Sequence, residues 1–160
     1  MKSKDIVIGN DGVNLFDSRL GLAPKSNDFQ TALEDDIIRR DDPSAENRQI
    51  TICDALGLSW LVDLDNKIVF WLEIRLAPFG YRKPTRNDPT AQFTGRLCID
   101  KYTVRGPFSL RTGEIIRKVS IRGLSLMLVP DDKTIRSVVV GFNENEKLFR
   151  QMSSDGHQSR

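Results

Sequence analysis

The sequence predicts an α+β fold: an antiparallel β-sheet from two repeated β-meander halves, with one main helix packed on one face. Three observations predict it. Residues 57–76, GLSWLVDLDNKIVFWLEIRL, and 123–142, GLSLMLVPDDKTIRSVVVGF, align without a gap. They share Gly57/Gly123, Leu58/Leu124, Ser59/Ser125, Asp65/Asp131 and Lys67/Lys133, and an internal match of this kind marks one supersecondary unit used twice. Within each segment apolar residues recur at the strand period of two. Upstream, Phe29, Leu33 and Ile37 recur every four residues, the spacing of a single helix stripe.

The elements follow in order. Residues 5–9 read as a short edge strand, and the turn Asn10-Asp11-Gly12 lets 13–16 pair back as a hairpin. Leu20-Gly21-Leu22 leads into a loop with Pro24. Ser26 or Asn27 is the expected N-cap of a helix over 27–36, with Asn27 and Gln30 at capping-box spacing. Charge and Pro43 make 38–48 a loop. A meander then follows at 49–54, 57–64 and 67–76. Pro78, Gly80, Pro84, Asn87, Asp88 and Pro89 make 77–92 a long loop between the halves. Residues 93–99 open the second half as a strand, 108–115 are ambiguous, and 115–121 alternate through Ile115, Ile116, Val119 and Ile121. Strands at 123–130 and 134–142 complete it. The pseudo-repeats span about 13–76 and 93–142 in a single domain of 1–147, and 148–160 reads as a polar, fraying tail. Pro107 and Gly113 interrupt the region where a second helix would stand, so in the second half that helix is expected to be short or lost, its face then covered by something else.

Parity assigns faces. Leu58, Trp60, Val62 and Leu64, with Ile68, Phe70, Leu72, Ile74 and Leu76, form the expected core face; Leu124, Leu126, Leu128, Val138, Val140 and Phe142 are their counterparts. The opposite face carries polar Ser59, Asp63, Glu73 and Arg75. It also carries Leu61, Val69, Trp71, Met127, Val129, Ile135 and Val139, an apolar band that needs either a cover, for which loop 77–92 is the candidate, or a partner.

Bulk composition excludes several classes. Charged residues make up 29% and hydrophobic residues 39% of 160, as in an ordinary soluble domain. A net charge of +2 without a basic run argues against nucleic acid. The apolar runs are strand-length, so no membrane span is expected, and the N-terminal stretch lacks a signal-peptide core. Cys53 and Cys98 read as reduced thiols of a cytoplasmic protein.

At Ile52-Cys53-Asp54-Ala55-Leu56-Gly57-Leu58 and Phe93-Thr94-Gly95-Arg96-Leu97-Cys98-Ile99, following the capped helix, the chain resembles small bacterial immunity proteins encoded beside polymorphic or secreted toxins. Asp54, Leu56 and Gly57 match the family's pattern, and Cys53 stands where it has an aromatic residue. The tandem layout is similar to that of β-lactamase inhibitor protein. The resemblance implies a non-enzymatic cytoplasmic protein that neutralises a toxin by direct binding. It transfers no site residue.

The chemistry is sparse. The single histidine, His157, sits in the tail; Ser59 lacks the second glycine of a nucleophile elbow; no phosphate loop is present. No catalytic residue, cofactor or metal is expected. The candidate partner-binding residues are Glu34, Asp35, Asp36, Asp41, Asp42 and Glu46, an acidic stretch suited to a basic toxin surface, and Trp71, a hot-spot residue type. The alternative is a small ligand-binding or scaffold module using the curved sheet as a pocket.

Overall fold

The computed structural model describes residues 4–77 and 85–158, with side chains described through Met152. The expected loop positions Pro78, Gly80 and Pro84 lie outside the described residues.

The fold is mixed α+β, as expected, with two sheets in place of one. The smaller sheet holds β1 (Ile6–Gly9), β2 (Gly12–Leu15), β3 (Ser18–Gly21), β8 (Leu97–Ile99) and β9 (Tyr102–Val104), in the order β3-β2-β1-β8-β9. The larger holds β4 (Arg39–Arg40), β5 (Arg48–Cys53), β6 (Leu58–Asp63), β7 (Ile68–Arg75), β10 (Phe108–Ser109), β11 (Leu124–Asp131) and β12 (Thr134–Phe142). Its order is β10-β12-β7-β6-β5-β4, with β11 paired to β12 alone. The strand at 93–99 therefore does not join the second hairpin; it lies parallel to β1, with Ile6 opposite Leu97 and Ile8 opposite Ile99. Ile6, Ile8, Val13, Leu15, Leu97 and Ile99 share one buried core with Trp60, Leu72, Ile74, Val138 and Val140 of the larger sheet. Burying these apolar faces against each other is what holds the two sheets together.

Helix α1 spans Ser26–Ala32, shorter than the stripe suggested. Lys25 bridges to Ile68, and the Ser26 amide donates to the Lys67 carbonyl at 2.9 Å, which fixes where the helix starts. Neither Ser26 nor Asn27 is the cap; the Lys25 amide donates to Asp28 Oδ2 at 2.7 Å. Phe29 and Leu33 are buried while Ile37 is 90% exposed, so the third member of the stripe lies past the helix end. Phe29 stacks on Trp60 with ring centroids 4.9 Å apart at 18°.

Two expectations fail downstream. Residues 115–121 are not a strand: α2 spans Leu110–Arg117, capped by Ser109 Oγ accepting from the Thr112 amide at 3.2 Å. A short helix thus stands in the region that Pro107 and Gly113 interrupt. Gly113, taken as a breaker, is a packing site, since a Cβ there would stand 2.9 Å from Ile135 Cγ1. The polar tail is helical too: α3 spans Asn143–Gln158.

The two hairpins differ in register. Gly57 and Gly123 both precede the first strand with positive φ, 69° and 87°. Leu58 faces Ile74, whereas Leu124 faces Phe142, whose counterpart in the first segment is Leu76. The slip is by two residues, and an even slip leaves every side chain on its own face.

Candidate functional site

A β-bulge builds the site. Leu61 pairs with Trp71, but Val62 pairs with Val69, so Phe70 is an extra residue on β7. Bulges re-aim side chains. Here Val69 turns into the core, and Phe70 joins Trp71 on the outer face. The parity reading had these reversed, because strict alternation cannot anticipate an inserted residue. Ile68, opposite Asp63, likewise stands apart from the main core.

Helix α3 lies over this face. Its first turn is pinned by Ser125 Oγ donating to Asn143 Oδ1 at 2.6 Å. Asn145, 2% exposed, donates from Nδ2 to the carbonyls of Pro24 at 2.9 Å and Val69 at 2.8 Å, tying the helix to the bulge. One turn on, Phe149 meets Phe70 edge-on at 5.3 Å. The Arg48 guanidinium sits against both rings, 4.7 Å from Phe70 and 4.8 Å from Phe149, positions favoured by the ring quadrupole.

Between α3 and the sheet runs a groove of about 560 Å³, with Leu61, Trp71, Met127 and Val139 among the side chains lining it together with the charged Arg48, Glu146 and Arg150. Gly141 lies directly across from Trp71 and contributes no side chain, so the floor stays open towards Ser125. Met127 is 59% exposed. Among the described residues, then, the apolar band is roofed on one side by a helix, Ile135 is buried in the core instead of in the band, and the described loop residues 85–92 reach the same face at the end of β7, where Asp88 meets buried Arg75 at 3.4 Å.

Those loop residues are held by an arginine clamp. Arg39 Nε donates to Asp54 Oδ2 at 2.6 Å and Nη2 donates to Oδ1 at 3.1 Å. The same guanidinium donates to the carbonyls of Arg86 and Asp88, at 2.6 Å and 2.9 Å. The Thr90 amide donates to Asp54 Oδ1 at 3.0 Å. The Arg39 hydrogen bonds hold the Asp54 carboxyl below the usual carboxylate range, and the Asp54 carboxylate raises Arg39 in turn.

The predicted acidic stretch does not form one site with Trp71. Glu34 and Asp35 are exposed and Asp36 half-buried just past α1, on the core side of the sheet, whereas Trp71 faces the opposite side. Asp41 and Asp42 flank the edge of β4 and meet Arg86 at 3.2 Å and 3.7 Å, so their charge is partly neutralised within the chain. Glu46 approaches Arg48 Nε at 3.7 Å. Of the predicted set the structure brings Asp41 and Asp42 together on Arg86, and links Glu46 to the groove of Trp71 through Arg48. Arg48, Phe70, Phe149 and Arg150 were missed. One signal was legible for Phe70: adjacent Phe70 and Trp71 cannot both face a core in a regularly alternating strand.

Among the described residues no three His, Cys, Asp or Glu side chains gather as a metal site, and no helix is long and apolar enough to cross a membrane. Cys53 and Cys98 are both free thiols. Comparison with protein-family models, curated proteins and solved structures gives no match.

Proposed function

We propose that the chain is a non-enzymatic cytoplasmic binding protein of the immunity type, which takes a cognate protein toxin on the outer face of the larger sheet with Trp71 as its anchor. The observation that carries the binding surface is the open groove beside α3. A half-buried tryptophan and the exposed Met127 line one groove with charged Arg48, Glu146 and Arg150, a mix of apolar anchor and polar groups suited to a protein interface. The toxin as partner class rests on the sequence resemblance. The acidic stretch carries less of the reading than the sequence suggested, because Asp41 and Asp42 already meet Arg86.

The test is titration of the purified protein against the product of a toxin-like gene beside its own. Wild type binds, and Trp71→Ala weakens binding at least about tenfold, as truncating a hot spot does. Gly141→Val, which fills the groove floor, does the same. Absence of a complex at micromolar concentration, or both variants binding like wild type, would sink the proposal.

A second reading has its own support. A groove of about 560 Å³ falls within the range of roughly 300–1,000 Å³ that takes small ligands. Arg48, pressed between two rings, would receive the carboxylate of an aromatic acid. A rise in melting temperature with aromatic carboxylates, lost in Arg48→Met, favours this reading over a protein partner.

A further inference from the structure

The core-facing side of the larger sheet changes chemistry towards β4. Arg40 stands opposite Thr51 and Thr51 opposite Trp60, while Gln49 stands opposite Val62. Residues directly opposite share a face, and Trp60 and Val62 belong to the core. Positions that β6 fills with apolar side chains are thus polar on β5 and β4. Ser26 and Gln30, one turn apart on α1, line the same space, as does Lys67, whose carbonyl accepts from the Ser26 amide at 2.9 Å. The result is a pocket of about 150 Å³, several times the roughly 30 Å³ of a water in the liquid and below the roughly 300 Å³ at which drug-sized ligand pockets begin. Its size suits a small ion or group.

The lining is basic and rich in donors. No carboxylate is among the residues that form it. Arg40 and Lys67 have no ion pair among the described residues, and the side chains of Ser26, Gln30 and Thr51 have no hydrogen-bond partner there. Asp41, next to Arg40 in sequence, is taken by Arg86 at 3.2 Å. Thr51 is 4% exposed, so a buried polar side chain lines the pocket beside the two cations. Like charges around one small space repel each other, and an anion between them turns that repulsion into attraction. A carboxylate has only two oxygens to offer. A phosphate group has more, enough to accept from both cations and from hydroxyl and amide donors together, and its charge matches theirs. We propose that this pocket binds a phosphate-class oxyanion between Arg40 and Lys67, with Ser26, Gln30 and Thr51 donating to its remaining oxygens. It lies on the core side of the sheet, whereas Trp71 faces the other side, so it is a site separate from the groove.

Titration of the full chain with inorganic phosphate tests this, with chloride at matched ionic strength and acetate as controls. Trp60 lines the pocket, so its fluorescence in a Trp71→Phe background reports occupancy. Phosphate changes that signal saturably at millimolar concentration or below and raises the melting temperature; chloride and acetate do neither. Arg40→Gln and Lys67→Gln, at exposed positions, keep the melting temperature of the ion-free protein and each weaken phosphate binding at least about tenfold, as loss of a charge-assisted hydrogen bond does. Trp71→Ala binds phosphate like wild type, which separates this inference from the partner-binding reading. Glycerol phosphate, titrated alongside, names the source: tighter binding than inorganic phosphate assigns the site to a phosphate monoester, and weaker binding to the free ion. No saturable change at millimolar phosphate, acetate or chloride acting as phosphate does, or both Gln variants binding like wild type would each overturn the site.

Discussion

Phe149, on the last helix, meets Phe70 edge-on at 5.3 Å, and Phe70 is the residue that the bulge in β7 turns outwards. The contact makes the roof of the groove depend on an insertion in its floor. Phe149→Ala removes an edge-to-face pair and one half of the Arg48 cage, and should cost about 1–2 kcal/mol of stability. Leu148→Ala, at a residue 45% exposed, should stay within about 0.5 kcal/mol of wild type. Urea midpoints of the two variants check the contrast.

Asn145 carries the other half of the attachment. Replacing it with Leu leaves the carbonyls of Pro24 and Val69 without this donor in a buried setting. The Pro24 carbonyl keeps the Val69 amide as a donor at 3.2 Å, so the expected loss is about 1–2 kcal/mol, within the range for disrupted buried hydrogen bonds. Amide exchange in α3 should accelerate more than in β6, because the helix is released before the sheet opens. Equal acceleration in both would contradict the attachment described.

The Arg39–Asp54 pair sets an acid dependence. The folded carboxyl of Asp54 titrates below its unfolded value, chiefly through the Arg39 hydrogen bonds. Its contribution to stability is therefore fully present above the ordinary carboxylate range and is lost as pH falls through the folded pKa. Asp54→Asn should be less stable than wild type at neutral pH, with the difference shrinking as pH drops through the carboxylate range. A pH-independent difference in urea midpoints would show that Asp54 does not act through its charge. Arg39→Ala should also speed exchange of the Thr90 amide, which donates to Asp54 Oδ1.

The thiols should separate by burial. Burial pushes the Cys53 thiol up, and Cys53 faces the core, whereas Cys98 is only half-buried beside Thr103. At neutral pH a thiol reagent should label Cys98 first, and Cys53 only on unfolding. Mass spectrometry of partly labelled protein reads the order directly.

Local patterns were legible where a local cause fixed them. Asn10-Asp11-Gly12 does turn β1 into β2, and the long hairpins stand where alternation placed them. What was missed depended on distant partners. The β-bridge of Lys25 to Ile68 fixes where α1 starts, and the backbone leaves the helix at Leu33, before Ile37. Ile115 and Ile116 fit a helix as well as a strand, and the close approach of Gly113 to Ile135 decided between them. α3 has few apolar residues and gains its support from Asn145 and Phe149 against the sheet. The parallel pairing of β1 with β8 joins segments about ninety residues apart in sequence and leaves no local trace. The candidate site suffered most. Trp71 was placed on the correct face, but the residues that shape its groove come from a bulge, from β5 and from an unexpected helix.

The central claim is that the outer face of the larger sheet is the working surface of this protein. Hydrogen–deuterium exchange of the complex with the proposed toxin partner, compared with the free chain, tests it most directly. The account predicts new protection along β6, β7, β12 and α3 around Leu61, Trp71 and Val139, with exchange unchanged at 41–46. Protection confined to the acidic stretch at 34–46, with the Trp71 face unaltered, would contradict it.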